Sequence, residues 1–320
     1  MNRSRLGGIA LITVTSLLWG TTGTAATFAP GAGPLAIGAA ALGIGGLLQA
    51  LIALPALRAA GPALRRHAPL VGFGALAVAV YPLAFYSSMH WAGVTIGSVV
   101  SLASAPLASG VLERWLDGRA LSRRWMLAAG LGVFGSAILC VSKTDGPASS
   151  GAPTVVGILL GLVAGLTYAT YSWTVHRLMS RNVSRAASMG AVFGAGGVLL
   201  MPVLVLTGAP LVASSQAFLV AGYVALVPMF LGYLLFGFGL SLVPSSTATT
   251  VTLTEPAVAT LLAVLVVGER LTALGWTGLT IIAAVLAILV LAPASTGVTP
   301  RPGAKAMTDQ RAHALPGERA

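Results

Sequence analysis

Between Leu6 and Leu291 the chain is a succession of ten apolar runs separated by short polar connections. Each is about as long as a helix must be to cross a bilayer, roughly 20 residues. The approximate cores are residues 6–28, 35–57, 69–89, 93–115, 125–142, 154–178, 186–207, 218–242, 245–267 and 273–291. Only 8% of the 320 residues are charged and 56% are hydrophobic, whereas a soluble domain carries about 25% charged residues. The expected fold class is an all-α integral membrane protein with ten transmembrane helices. Arg3 and Arg5 before the first run, and small residues after it, resemble a signal peptide. That run is long enough to span, and nine more follow, so it is read as the first helix.

The charges orient this arrangement. A net charge of +11 would suit nucleic acid if the basic residues formed one face. They fall instead in short clusters between the runs, so no nucleic-acid partner is expected. With the N-terminus inside, the inner segments hold Arg3 and Arg5; Arg58, Arg65 and Arg66; Arg114, Arg119, Arg123 and Arg124; and Arg177, Arg181 and Arg185. The tail adds Arg301, Lys305, Arg311 and Arg319, and only Lys143 and Arg270 fall outside. Basic residues collect in cytoplasmic loops. Both termini are therefore expected in the cytoplasm, in a multi-pass protein of the cell (inner or plasma) membrane.

The ninth run holds the most unusual chemistry. From Pro244 to Val267 its one charge is Glu255, and Pro256 follows it. A carboxyl near mid-membrane costs about 3 kcal/mol on insertion scales, and ionisable groups at that depth are functional by default. Pro256 lacks an N–H, so it frees the carbonyl of Thr252 and bends the helix. On this helix Ser245, Ala248, Thr252 and Ala259 share the face of Glu255.

The halves of the chain match one another. Shifting the second half back by 150 residues lays Pro256 on Pro106, Leu262 on Leu112, Gly268 on Gly118 and Leu271 on Leu121. A shift of 149 lays Tyr168 on Trp19 and Thr170 on Thr21. Five helices per half make the second half enter from the opposite side. Inverted repeats of this kind build transporters with a site at mid-membrane. The expected division is a first five-helix repeat at 1–143, a Gly/Pro/Ser linker at 144–153, a second repeat at 154–292, and a disordered cytoplasmic tail at 293–320. Ala105 stands where the second half has Glu255, so the chemistry of such a site is one-sided.

LLWGTTGTA in the first helix and TEPAVATLLAVLVVGERLTALGWTG in the ninth, with two fivefold halves, resemble the EamA family of the drug/metabolite transporter superfamily. The most specific pieces are Glu255-Pro256 and Gly268-Glu269-Arg270-Leu271-Thr272 at that separation. The first-half counterpart, GRALS at 118–122, departs from the pattern by lacking the Glu. The resemblance implies ten helices in two inverted repeats around a central cavity. It also implies secondary transport of small metabolites, commonly outward, with the substrate left unnamed.

The residues expected to meet a solute or proton are Glu255, Thr252 on its face, Ser98 on the matching face of the fourth helix, and the deep aromatics Trp19, Tyr81, Tyr168 and Tyr233. Tyr86, Tyr171, Trp173 and Tyr223 could also flank a cavity. Tyr86, Trp91, Trp115, Trp125 and Trp276 lie nearer the ends of their runs, where Tyr and Trp collect as interface anchors, so the deep aromatics are the better candidates. Pro106 and Pro256 are the expected hinges. Gly157, Gly161 and Gly165 read as a packing face. Glu113 and Asp117, set among arginines, read as solvated ion pairs of small energetic worth. No His pair has metal-ligand spacing. One cysteine, Cys140, leaves no partner for a disulfide, and no cofactor is expected.

The expected function is a secondary transporter that exports a small metabolite, amino-acid-like solute or drug by alternating access, in a lipid bilayer. Glu255 would couple proton entry to solute exit by switching between protonated and ionised forms. A uniporter or importer of the same fold is the alternative. A lipid enzyme would need convergent catalytic groups that the bilayer centre lacks, and a scaffold would need neither the deep acid nor the repeat. No Gly-Lys-Ser/Thr phosphate loop occurs, so the chain itself consumes no ATP.

Overall fold

The computed structural model describes residues 3–26, 28–29, 31–92, 94–118, 120–142, 152–262 and 272–291. The linker up to Gly151, the loop from Gly268 to Leu271 with Glu269 and Arg270, the tail, and Gly93, Arg119 and Lys143 lie outside them.

Every regular element among the described residues is helical. The principal helices are α1 (Arg3–Ala26), α2 (Pro34–Ile52), α3 (Ala68–Ala92), α4 (Val94–Leu116), α5 (Arg123–Ser142), α6 (Ala152–Ser180), α7 (Arg185–Thr207), α8 (Ser215–Leu240), α9 (245–262) and α10 (Ala273–Leu291). Seven of them, α1 to α4 and α6 to α8, are long and apolar enough to cross a membrane. The other three occupy the fifth, ninth and tenth apolar runs. α9 carries seven hydroxyl residues in its first ten positions, which lowers its apolarity.

Prolines set several boundaries. The second run was expected to continue to residue 57, but α2 ends at Ile52 and short helices follow at Leu54–Ala59 and Gly61–Arg66. Pro55 and Pro62 sit in the first turns of these, where a missing N–H is harmless.

The helices pack as a set of related contacts. α3 lies against α6 and α1 against α8; α4 lies against α6 and α1 against α9; α3 meets α7 and α2 meets α8. α2 pairs with α7, and α5 with α10. Small residues bring the backbones close, the usual solution where no water drives association. On α6, a Cβ added at Gly157 would fall 2.5 Å from Ala92 of α3, one at Gly161 would fall 2.9 Å from Ser88 Oγ, and one at Gly165 would fall 2.6 Å from the carbonyl oxygen of Ser101 on α4. These glycines form the packing face expected of them.

Two π-helical stretches lie within the bundle, Ala39–Ile44 in α2 and Ala225–Leu231 in α8, and they pack on one another. The second contains Pro228. Side chains of α1 and α2 bond carbonyls in or beside it. Trp19 Nε1 donates to Pro228 at 2.9 Å, Gln49 Nε2 to Phe230 at 2.9 Å, and Thr15 Oγ1 to Gly232 at 3.1 Å. Backbone acceptors in an apolar interior need such partners, and π turns recur at functional sites.

Candidate functional site

The break in α9 follows from Pro256. Without an N–H at residue 256, the carbonyl of Thr252 has no partner at i+4. The N–H of Glu255 takes it instead, and residues Thr252–Thr254 close into a 3₁₀ turn before the α-helix resumes. Several threonine hydroxyls of α9 bond carbonyls of the same helix: Thr249 Oγ1 donates to Ser245 O at 3.0 Å, Thr250 Oγ1 to Ser246 O at 2.7 Å, and Thr254 Oγ1 to Val251 O at 2.8 Å. This back-bonding lets a Ser/Thr-rich segment stay buried and adds to its bend.

Glu255 stands at the seam between the two helix types. Its side chain is half-buried, and it has no hydrogen bond or ion pair among the described residues. Its carboxyl lies within electrostatic reach of Tyr81, Tyr86, Tyr168 and Tyr233.

Those tyrosines belong to a continuous aromatic cluster. The Trp19 ring is 4.7 Å from Tyr233 and 6.1 Å from Tyr168; Tyr81 is 5.6 Å from both Tyr168 and Tyr171; Phe193 is 4.6 Å from Tyr233. The contacts are tilted or edge-on, as ring quadrupoles prefer. Tyr168 donates its hydroxyl to Thr252 Oγ1 at 2.9 Å, and the hydroxyls of Tyr171 and Tyr233 bond one another at 2.6 Å. Helices α1, α3, α6, α7, α8 and α9 thus contribute to one centre.

Of the residues expected at a site, Trp19, Tyr81, Tyr168, Tyr233, Thr252 and Glu255 come together here. Ser98 is half-buried near the start of α4 and takes no part in these hydrogen bonds. Pro106 is buried inside an unbroken α4, and Ala105 beside it is buried. Tyr86, ranked below the deep aromatics for its place nearer the end of its run, is only 6% exposed and within reach of Glu255. Its distance from the end of its run misled because α3 extends to Ala92. Tyr171, Phe193 and Phe236 also join the cluster. Tyr171 follows Tyr168 by three positions, a spacing that puts both on one helix face.

One correction concerns the acids at the arginine-rich end. Glu113 is 3% exposed and is not a solvated ion pair. Its carboxyl accepts hydrogen bonds from Ser245 Oγ at 2.7 Å, Ser246 N at 2.9 Å and Ser246 Oγ at 2.7 Å. The first N–H groups of a helix lack internal partners and favour an acid. Pro244, at the N-cap of α9, offers no side-chain acceptor, and Glu113 of α4 fills that role from another helix. Trp125 of α5 donates to Ser246 O at 3.1 Å on the same turn. Asp117 pairs with Arg177 of α6, and Trp173 Nε1 donates to it at 3.0 Å. Nothing in the sequence links residue 113 with 245, so these ties were not legible there.

At the other end of α1, α8 and α9 lies a cavity of about 620 Å³, lined by Thr21, Thr24, Phe28, Gln216, Tyr223 and Leu262 among others. Its walls are mostly apolar, and Thr21 Oγ1 and Tyr223 OH bond one another at 2.8 Å. Leu262 is about two turns beyond Glu255 along α9. No group of metal-binding side chains occurs among the described residues.

Comparison with known proteins gives concordant results. Residues 155–291 match the EamA-like transporter family. The chain is 31% identical over 283 residues to an uncharacterized transporter, YwfM, of Bacillus subtilis (strain 168), covering 88% of this chain and 93% of the relative. A solved crystal structure superposes with a TM-score of 0.71 at 19% identity, over 88% of this chain and 95% of the other, a likeness of fold alone.

Proposed function

Since the chain belongs to the EamA-like transporter family of membrane transporters, we propose that it is a secondary transporter exporting a small metabolite, amino-acid-like solute or drug by alternating access. The observation that carries this reading is Glu255, a half-buried carboxyl without a hydrogen-bond or ion-pair partner among the described residues, facing the aromatic cluster from a broken helix. Its partners are then solute and protons, and the proton it takes up from one side drives solute out on the other. The titratable groups facing it are Tyr81, Tyr86, Tyr168 and Tyr233.

In this reading the chain crosses the plasma membrane ten times with both ends cytoplasmic. Two inverted five-helix repeats, 1–143 and 154–292, flank the linker, and the tail follows. Paired helix contacts support it. Exchanging α1 with α6, α2 with α7, α3 with α8, α4 with α9 and α5 with α10 turns the α3–α6 contact into α8–α1, and α4–α6 into α9–α1. Pro106 and Pro256 are the hinges, and Ser98 joins the solute path from α4. The cavity at the end of α8 is then the outward vestibule, and the Glu113 bonds hold the cytoplasmic end shut.

The test is solute flux through purified protein in proteoliposomes, wild type against Glu255→Gln, across a pH series and with or without an imposed proton gradient. The Gln variant folds and loses flux or its pH dependence. A Gln variant that carries solute at the wild-type rate with the wild-type pH profile overturns the coupling.

A further inference from the structure

Polar groups in the central cluster divide into those already bonded within the protein and those left over. The hydroxyls of Tyr168, Tyr171, Tyr233 and Thr252, and the indole N–H of Trp19, all have partners. Three groups do not among the described residues: the Glu255 carboxyl, the hydroxyl of Tyr81, and the hydroxyl of Tyr86, the one of the three that is fully buried without a hydrogen bond. A buried hydroxyl left unbonded is rare in native proteins and calls for an explanation. Tyr86 is fixed in place by Phe85, at 5.5 Å between rings, and by α2, where a Cβ at Gly38 would fall 3.1 Å from the Tyr86 ring. Its hydroxyl acts electrostatically on Tyr81 and Tyr233 as well as meeting the field of Glu255, so it belongs to the same centre.

Resting on the transport role proposed above, we infer that the solute is an organic cation with a second hydrogen-bonding group: its ammonium is held by Glu255 among the aromatic rings, and its other polar group bonds the Tyr86 hydroxyl. The rings of Trp19, Tyr81, Tyr168 and Tyr233 present negative faces that attract a cation. An anion would meet Glu255 with no Arg or Lys to offset it among the described residues. A neutral solute would leave the carboxyl unpaired. Tyr86 is a specificity-determining residue in this account, because a site built to hydrogen-bond a group rejects the analogue lacking it.

Binding to the full-length protein in nanodiscs tests the inference through four probes of one size: tyramine, 2-phenylethylamine, the neutral 2-(4-hydroxyphenyl)ethanol and the anion 4-hydroxyphenylacetate. Tyramine binds tightest, and 2-phenylethylamine about tenfold weaker for want of one hydrogen bond. The alcohol and the acid bind weaker than either amine. Tyr86→Phe lowers tyramine to the level of 2-phenylethylamine and leaves 2-phenylethylamine unchanged, which also reports that the variant is folded. Glu255→Gln removes the preference for amines. Failure of both amines to bind, or alcohol or acid binding as tightly as tyramine, overturns the cation assignment. Equal losses for both amines in Tyr86→Phe, or no loss, overturns the role of Tyr86. Flux answers the other question separately. Amine binding without Glu255-dependent flux leaves the recognition standing and removes transport, and Glu255-dependent flux of neutral solutes without amine binding does the reverse.

Discussion

Glu113 holds Ser246 twice, accepting its backbone N–H at 2.9 Å and its hydroxyl at 2.7 Å. The carboxyl of one helix thereby caps another that is remote in sequence, and α4 and α9 are tied at the arginine-rich end. The bonds go to a carboxyl group and lie in a buried setting, where leaving donors unpaired is most damaging.

Glu113→Ala should therefore destabilise the protein by roughly 2–4 kcal/mol, since the donors of Ser245 and Ser246 lose their acceptor. Glu113→Gln keeps one acceptor oxygen and should fall between the alanine variant and wild type. Thermal unfolding in detergent, followed by tryptophan fluorescence, reads the order. An alanine variant as stable as wild type would show that the cap contributes nothing.

Close glycines give a prediction about packing. A Cβ at Gly46 would clash with the carbonyl oxygen of Phe193, and the backbone cannot retreat as a flexible side chain can. At Gly130 nothing lies within 4 Å. Gly46→Ala should lower the unfolding midpoint by an amount corresponding to about 1–3 kcal/mol, and Gly130→Ala should leave it unchanged. Similar midpoints for the two variants would mean that α2 and α7 are not in such close contact.

The positions of Trp19, Tyr81, Tyr168 and Tyr233 in the centre were legible because depth in a run translates directly into depth in a bilayer. The break before Glu255 was legible because proline chemistry is local. The full burial of Tyr86, named only as a weaker candidate, and the partners of Glu113 were not. Tyr86 was judged by distance from the end of its apolar run, but burial is decided by what packs against it, here Phe85 and Gly38. Glu113 sits in sequence among arginines, and its partners come from a helix more than a hundred residues away.

Orientation is checked by labelling. Single cysteines at Ser149 and Ala209 should react with an impermeant thiol reagent applied from outside intact cells, in a background where Cys140 is replaced by Ser. One at Ser184, beside Arg181 and Arg185, should react only after the membrane is opened. The reverse pattern would place the arginine clusters outside and overturn the proposed topology.

The last prediction separates the two prolines. Pro106 lies in a continuous helix, whereas Pro256 directly follows a 3₁₀ turn in which the Glu255 N–H has taken the carbonyl of Thr252. Pro256→Ala restores the N–H at residue 256, so the i+4 bond to Thr252 can form and the α-helix can run through. That change favours a straight α9 by up to about 3 kcal/mol and re-aims Glu255 relative to Tyr168, whose hydroxyl bonds Thr252. Pro256→Ala should therefore be at least as stable as wild type while its flux falls about tenfold or more. Pro106→Ala, at the other proposed hinge but in a helix that is already continuous, should lose less flux than Pro256→Ala. Hydrogen exchange of residues 252–256 reads the helix directly, with slower exchange expected in Pro256→Ala. Undiminished flux in a variant whose exchange shows a straightened helix would mean that the bend at Glu255 plays no part in transport.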